Sequence, residues 1–117
     1  MRTELTPIFD YHKSFYKKAY VESYGSFVVL ESYGTIIALI NQNGTAELTE
    51  HWDYSRTTAR HLAEFLRQHG FDSSEVGTPA LRKALKSGTF TRTTEHDVKN
   101  RIFAANIDAV RELTATA

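Results

Sequence analysis

A chain of 117 residues, 41% hydrophobic and 24% charged, has the size and composition of one soluble globular domain. Fourteen basic and fourteen acidic residues give a formal net charge of +0, which removes any global pull toward nucleic acid or anionic membrane and lacks the acidic excess of a DNA mimic. The absence of cysteine excludes disulfides, thiolate nucleophiles, Fe–S clusters and cysteine-based zinc sites.

Residues 1–13 (MRTELTPIFDYHK) are polar and aromatic with an early Pro7, and read as an irregular or edge-like arm. From Lys18 the text becomes strand-like. Lys18–Ser23, Phe27–Ser32, Thr35–Ile40 and Thr45–Glu50 are separated by turns at Tyr24-Gly25-Ser26, Tyr33-Gly34 and Asn43-Gly44. The last of these is the strongest hairpin signal in the chain. Four short strands joined by three turns predict an antiparallel β-meander over residues 18–50.

Tyr54–Gly70 (YSRTTARHLAEFLRQHG) switches to helical periodicity. Ser55 is the expected N-cap, Ala59, Leu62, Phe65 and Leu66 recur at helical spacing, and Gly70 supplies the left-handed stop. A second helix is expected over residues 79–87, with Thr78 as cap and Pro79 at the first helical position, and Leu81, Ala84 and Leu85 facing inward. Thr89–Thr93 reads as a loop or short extended piece. Thr94, with Asp97 three residues on, opens a third helix over residues 95–113.

Strands followed by helices give an α+β domain spanning residues 1–117: an antiparallel sheet of about four strands with helices 55–69, 79–87 and 95–113 packed on one face. The expected core is Val21, Val28, Leu30, Ile36, Ala38, Ile40, Leu48, Trp52, Leu62, Phe65, Leu66, Leu81, Leu85, Ile102, Val110 and Leu113. The longest apolar run, Ile36–Ile40, is far short of the ~20 residues that span a bilayer. No apolar segment follows Met1–Pro7 as a signal peptide would require. The expected location is the cytoplasm of a bacterial host cell, with no membrane partner.

Candidate chemistry is sparse. His61 and His69 lie two turns apart on one helix, too far to share an ion, and no HExxH spacing occurs, so no metal or other cofactor is expected. His51, Asp53 and Ser55 have the residue types of a hydrolase triad, but Ser55 is better explained as a helix cap and no GxSxG elbow is present. The six glycines are scattered as turn residues, without a phosphate-binding loop. The expectation is therefore a non-enzymatic protein. Basic and aromatic residues interleave in Tyr11, Phe15, Tyr16, Lys17, Lys18 and Tyr20, and a sheet edge built from them could stack bases and track phosphates. Arg82, Lys83 and Lys86 form a second basic cluster on the short helix. On the first helix Arg56, Arg60, Glu64 and Arg67 form an outer face that packing does not require, a candidate partner-binding surface. The polar side of the third helix, with Phe103 at its flank, permits a monomer or a homodimer.

Three phrases carry a resemblance: Ser14-Phe15-Tyr16-Lys17-Lys18-Ala19, Leu30–Ala38 and Tyr54–Gly70. Together they resemble a family of small uncharacterised proteins from phages, prophages and plasmids of Gram-positive bacteria, in which SFY-x-KA, SY-x-T and TT-x-RH-x-x-EFL-x-Q elements recur in that order. The likeness covers residues 14–70; Lys17 stands where a glycine is expected, and residues 71–113 match no known pattern. It implies a mobile-element origin and no assigned activity. Small accessory proteins of such elements often block host machinery, CRISPR nucleases included. The expected function is accordingly a binding protein that occludes a host protein, a Cas nuclease being the sharpest form. The alternative is a small nucleic-acid-binding module.

Overall fold

A computed structural model describes residues 2–116, with side chains described as far as Arg111. The fold is α+β. Strands β1 (Arg2–Glu4), β2 (Ala19–Ser23), β3 (Phe27–Ser32), β4 (Thr35–Asn41) and β5 (Ala46–Leu48) precede helices α1 (Arg56–Gln68) and α2 (Thr78–Ser87). Strand β6 (Thr91–Arg92) and helix α3 (Glu95–Thr116) complete the chain. The strands lie side by side in chain order in one six-stranded sheet, antiparallel except where β6 runs parallel to β5. The expected meander is its middle. The arm adds β1 at one edge, and the piece after α2 adds β6 at the other; strands of three and two residues carry too little alternation to be read from sequence.

Local chemistry fixes the joints. Asn41 donates to the Thr45 carbonyl at 2.8 Å, and Gly44 takes φ 88° in the expected Asn43-Gly44 turn. Ser55 caps α1 by accepting the Thr58 N–H at 3.1 Å. At the far end Gly70 takes φ 93°, and the N–H groups of Gly70 and Phe71 return to the carbonyls of Arg67 and Leu66. Helix α2 begins one residue earlier than expected, with Gly77 as N-cap and Thr78 already helical.

The helices do not share one face. Leu62, Phe65 and Leu66 of α1, with Leu81 of α2, pack against Leu30, Ile37, Ala38, Ile40 and Leu48. Val98, Ile102 and Ala105 of α3 cover the opposite face, against Phe27, Val29, Ile36 and Leu39. The reason lies in β3 and β4, which are apolar on both sides and so need cover on both. A β-bulge makes this possible: the register passes from Leu30↔Ala38 to Glu31↔Ile36, leaving Ile37 as the extra residue on the α1 side. Thr49 accommodates it, donating its N–H to the Ile37 carbonyl and its hydroxyl to that of Ile36.

Of the expected core, Leu30, Ile36, Ala38, Ile40, Leu48, Trp52, Leu62, Phe65, Leu66 and Leu81 are buried, while Val21, Val28, Leu85 and Ile102 are half-buried. Val110 is 61% exposed; among the described side chains, α3 packs on the sheet through Val98, Ile102 and Ala105. Leu113 lies outside the residues whose side chains are described. No helix among the described residues is long and apolar enough to cross a membrane.

Candidate functional site

The arm between β1 and β2 folds over the flank of α1 and determines what α1 can expose. Leu5 and Phe15 anchor its two ends in the core. Between them the N–H groups of Ile8, Phe9 and Asp10 converge on the Glu64 carboxylate, with contacts of 3.0, 3.1 and 2.8 Å. Gln68 bridges Glu64 to the Thr6 carbonyl, donating at 2.6 and 2.8 Å. Glu64, expected on the outer face of α1, is therefore 1% exposed. A carboxylate accepting several backbone donors is a buried clamp and not a surface group. The buried arc of α1 is wider than its apolar stripe, since Thr58, His61 and Glu64 lie within it. Of the other three expected surface residues, Arg56 is exposed and Arg60 and Arg67 are half-buried.

Asp10 then orders the tip of the arm. Its carboxylate accepts the His12 N–H at 3.0 Å and meets His12 Nδ1 at 2.6 Å. Burial pushes the Asp10 carboxyl up, but the two His12 hydrogen bonds and the charges of His12 and Arg60 prevail and hold it below the usual carboxylate range. Arg60 Nη1 stands 3.1 Å from His12 Nε2. The Arg60 guanidinium also lies 5.3 Å from the centroid of the Tyr11 ring.

Two tight turns meet beside this tip. Lys18 donates to the Phe15 carbonyl at 3.1 Å across Tyr16 and Lys17, whose φ values of 54° and 60° are left-handed. Tyr33 (φ 52°) and Gly34 (φ 77°) form the two-residue β3–β4 connection. Tyr16, Lys17 and Tyr33 are the non-glycine residues of positive φ among those described, and all three lie at this end of the molecule. Such strain persists where the surroundings over-determine it. Here Ser14 Oγ accepts the Tyr16 N–H, Glu4 accepts that of Lys17, and the Lys18 carbonyl accepts that of Tyr33.

Between the turns and α1 lies a cleft of about 190 Å³, bordered by His12, Phe15, Tyr16, Lys18, Tyr33, Thr57, Arg60 and His61, among others. His61 is buried beneath it. A hydroxyl chain runs from Ser55 through Thr58 and Ser32 to His61 Nδ1, with steps of 3.2, 3.3 and 2.8 Å. Burial, aided by the nearby Lys18 charge and opposed by Asp10, lowers the His61 pKa to about 4, so the ring is neutral at pH 7. The Phe15 ring meets it edge-on at 4.6 Å and the Tyr33 ring lies 5.8 Å away. On the other side of Tyr33 a second cleft of about 300 Å³ reaches Tyr54.

The aromatic-basic residues expected to act together do so only in part. Tyr16 and Lys18 share the cleft, Tyr11 joins through Arg60, and Lys17 sits in the adjoining turn. Phe15, 5% exposed, belongs to the core and has no free face for a base. Tyr20 points away from α1, with the Arg2 guanidinium 4.0 Å above its ring. Arg82, on α2, faces Trp52 and Asp53, while Lys83 and Lys86 stand exposed on the same helix, separate from the cleft. The triad types are likewise apart: His51 is nearest Glu95 and Glu50, Asp53 faces Arg82, and Ser55 caps α1. No three His, Asp or Glu side chains among the described residues could hold a metal ion. Tyr33, His12 and His61 were not legible as site residues. Each lies in a separate segment; from the sequence, His61 reads as a candidate metal ligand and Tyr33 as a turn, both within the phrases of the resemblance.

Residues 3–78 match the model of DUF8033, a family of unknown function. The chain belongs to that family. No curated protein and no solved structure matches it. The matched span runs from β1 to the first residue of α2, so it contains the whole cleft, the arm and the Glu64 clamp, and leaves out α3.

Proposed function

We propose that this DUF8033 protein is a non-enzymatic binding protein that docks a partner protein on the rim of the cleft. One observation carries the reading: among the described residues, six of the eight large hydrophobic side chains left exposed, namely Ile8, Phe9, Tyr11, Tyr16, Tyr33 and Tyr54, stand on the arm and turns around α1. Tyr11 and Tyr16, at 80% and 74% exposure, are side chains that a monomer gains nothing by displaying. Tyrosine and arginine anchors presented on a fixed backbone are the usual carriers of interface energy. Here the clamp on Glu64 fixes the backbone beneath Ile8 and Phe9.

The finer reading belongs to the same proposal. A phage or mobile-element origin, and occlusion of a host protein such as a Cas nuclease, are supported by the sequence resemblance. The three phrases that carry it meet at the cleft: Ser14, Tyr16 and Lys18 from the first, Tyr33 from the second, and Thr57, Arg60 and His61 from the third. The test is a pull-down from host lysate with the wild type and with a Tyr11→Ser/Tyr16→Ser variant, together with a Cas cleavage assay. A partner captured by the wild type and lost by the variant is the expected result. No tyrosine-dependent partner, with cleavage unimpaired, removes the proposal.

A second reading, single-stranded nucleic acid on the same rim, is favoured by local charge. Lys18 and Arg60 border the cleft and Lys17 sits in the adjoining turn, while Glu4, Asp10 and Glu64 spend their carboxylates on backbone N–H groups. Retardation of a labelled single strand that fades steeply with salt is expected on this reading, and no retardation at low salt ends it.

A further inference from the structure

The cleft itself has a chemistry distinct from its tyrosine rim. Lys18 and Arg60 bring two cations to it, Ser14 and Thr57 bring hydroxyls, and no carboxylate lines it. The nearest acid, Asp10, is turned to His12. A group with several acceptor oxygens and negative charge meets donors on more than one side here. The remaining wall is aromatic, Tyr16 and Tyr33, with Lys18 Nζ 5.7 Å from the centroid of the Tyr33 ring.

His61 supplies the second, independent observation. It is 0% exposed, and its Nε2 has no hydrogen-bond partner among the described residues. Ser32 holds Nδ1 and does not border this cleft, whereas His61 does, which leaves Nε2 as the free polar atom of the ring beside it. An unpartnered buried imidazole nitrogen costs stability unless something reaches it. If the Ser32 hydroxyl donates to Nδ1, Nε2 is a donor seeking an acceptor; in the other tautomer it is an acceptor seeking a donor. The Tyr33 ring, 5.8 Å from the imidazole, is itself half open to solvent.

We propose that the cleft between α1 and the two left-handed turns binds a single nucleotide unit, free or at the phosphorylated end of a strand. Lys18 and Arg60 take the phosphate, Tyr16 and Tyr33 flank the base, and His61 Nε2 meets the base edge. Size sets the bound for the base alone: about 190 Å³ exceeds the ~150 Å³ that holds benzene and falls below the ~300 Å³ at which drug-sized pockets begin. One base fits within it, and the sugar and phosphate lie outside the enclosed volume. The edge of a nucleobase, with donors and acceptors, answers His61 in either tautomer. A bare phosphate has no ring, and the phenyl ring of a phosphotyrosine has no polar edge. The site does not depend on the docking reading, because it stands whether or not a protein partner exists.

The test titrates the folded protein with the four common nucleoside 5′-monophosphates, a 5′-phosphorylated tetranucleotide, phenyl phosphate and inorganic phosphate, following His61 and Tyr33 ring signals by NMR and affinity by calorimetry. At least one nucleotide is expected to shift both rings. Its affinity should fall on the order of tenfold in Lys18→Ala and in Tyr33→Ala, and stay unchanged in Lys86→Ala on α2. Tighter binding of the tetranucleotide assigns the site to a strand end; equal binding assigns it to free nucleotides. His61→Gln is added with a circular-dichroism check of folding, and where it does not fold the other two variants decide. The proposal is overturned if no nucleotide binds at low millimolar concentration, or if both variants bind as the wild type does. It is equally overturned if inorganic phosphate or phenyl phosphate binds as tightly as the best nucleotide, the latter pointing to a phosphorylated peptide.

Discussion

The two faces of the sheet are covered by different means. On the α1 side a large apolar cluster encloses a polar layer, with Ser32, Thr58, His61 and Glu64 buried and each hydrogen-bonded at least once. On the α3 side a small cluster suffices, and ionic anchors do much of the positioning. Glu95 accepts the Ile36 N–H at 2.9 Å, Glu50 accepts the Glu95 N–H at 2.7 Å, and Arg101 reaches both Glu47 and Asn41. Polar groups in the α1 layer are sealed from water, so losing one leaves its partner unsatisfied. Those beside α3 are partly wet, where solvent replaces what is removed. The family match covers the strands β1 to β5, α1 and its buried polar layer, and stops before α3.

The sharpest way to break this contrast is Phe65→Ala. Phe65 is fully buried at the centre of the α1 face, and the substitution is expected to cost about 3–5 kcal/mol, read as a large loss of midpoint in denaturant. A cost near that of a surface substitution would mean that the α1 face is not the principal core. Acidification comes next. The His61 pKa falls from 6.5 to about 4 on folding, so the unfolded chain takes up the proton first. Above pH 6.5 the group leaves stability unchanged, and as pH falls from 6.5 toward 4 stability drops, by about 3 kcal/mol in all. Asp10, held below its usual range, loses its contribution in the same direction at lower pH. An NMR titration placing the His61 transition at pH 6–7 would remove this term.

Glu64→Gln follows, at about 2 kcal/mol, because an amide NH₂ would then face backbone N–H groups where a carboxylate oxygen now accepts them. Faster hydrogen exchange at Ile8, Phe9 and Asp10, ahead of global unfolding, is the expected signature. Unchanged exchange there would show that the arm holds without its clamp. On the other face Val98→Ala, at the buried centre of the small cluster, should cost only about 1–2 kcal/mol. If it matches Phe65→Ala, the contrast between the faces fails.

The sequence showed what is periodic and hid what is long-range. Strands β2 to β5 and the stripe of α1 alternate at their own spacing, and the caps at Ser55 and Thr94 are short polar residues in the expected places. Glu64 could not be read correctly, because the donors that bury it come from Ile8, Phe9 and Asp10, 54–56 residues away. Phe15 looked like a surface aromatic for the same reason: its burial depends on α1 closing over it. The side of the sheet chosen by α3 turned on the Ile37 bulge, an irregularity without a period. The cleft is closed by His12–Lys18, by Tyr33 and by Thr57, Arg60 and His61 of α1, so no single stretch announces it.

The smallest effect is also the one whose sign tells most. Lys17 occupies a left-handed position, φ 60°, where the resemblance to phage proteins leads one to expect glycine. Its backbone N–H bond to Glu4 survives replacement, so Lys17→Gly removes only the side chain and its conformational cost. Relief of a left-handed residue is worth roughly 1–2 kcal/mol, and the extra freedom of glycine in the unfolded chain returns roughly 0.5–1. The variant should therefore be slightly more stable, by about 0.5 kcal/mol. The anionic ligand proposed for the cleft would give the Lys17 charge a use beside Lys18. The same substitution should then weaken binding of any anionic partner while raising the melting temperature. A gain in stability with binding unchanged would show that Lys17 is merely tolerated, and would confine the basic character of the site to Lys18 and Arg60.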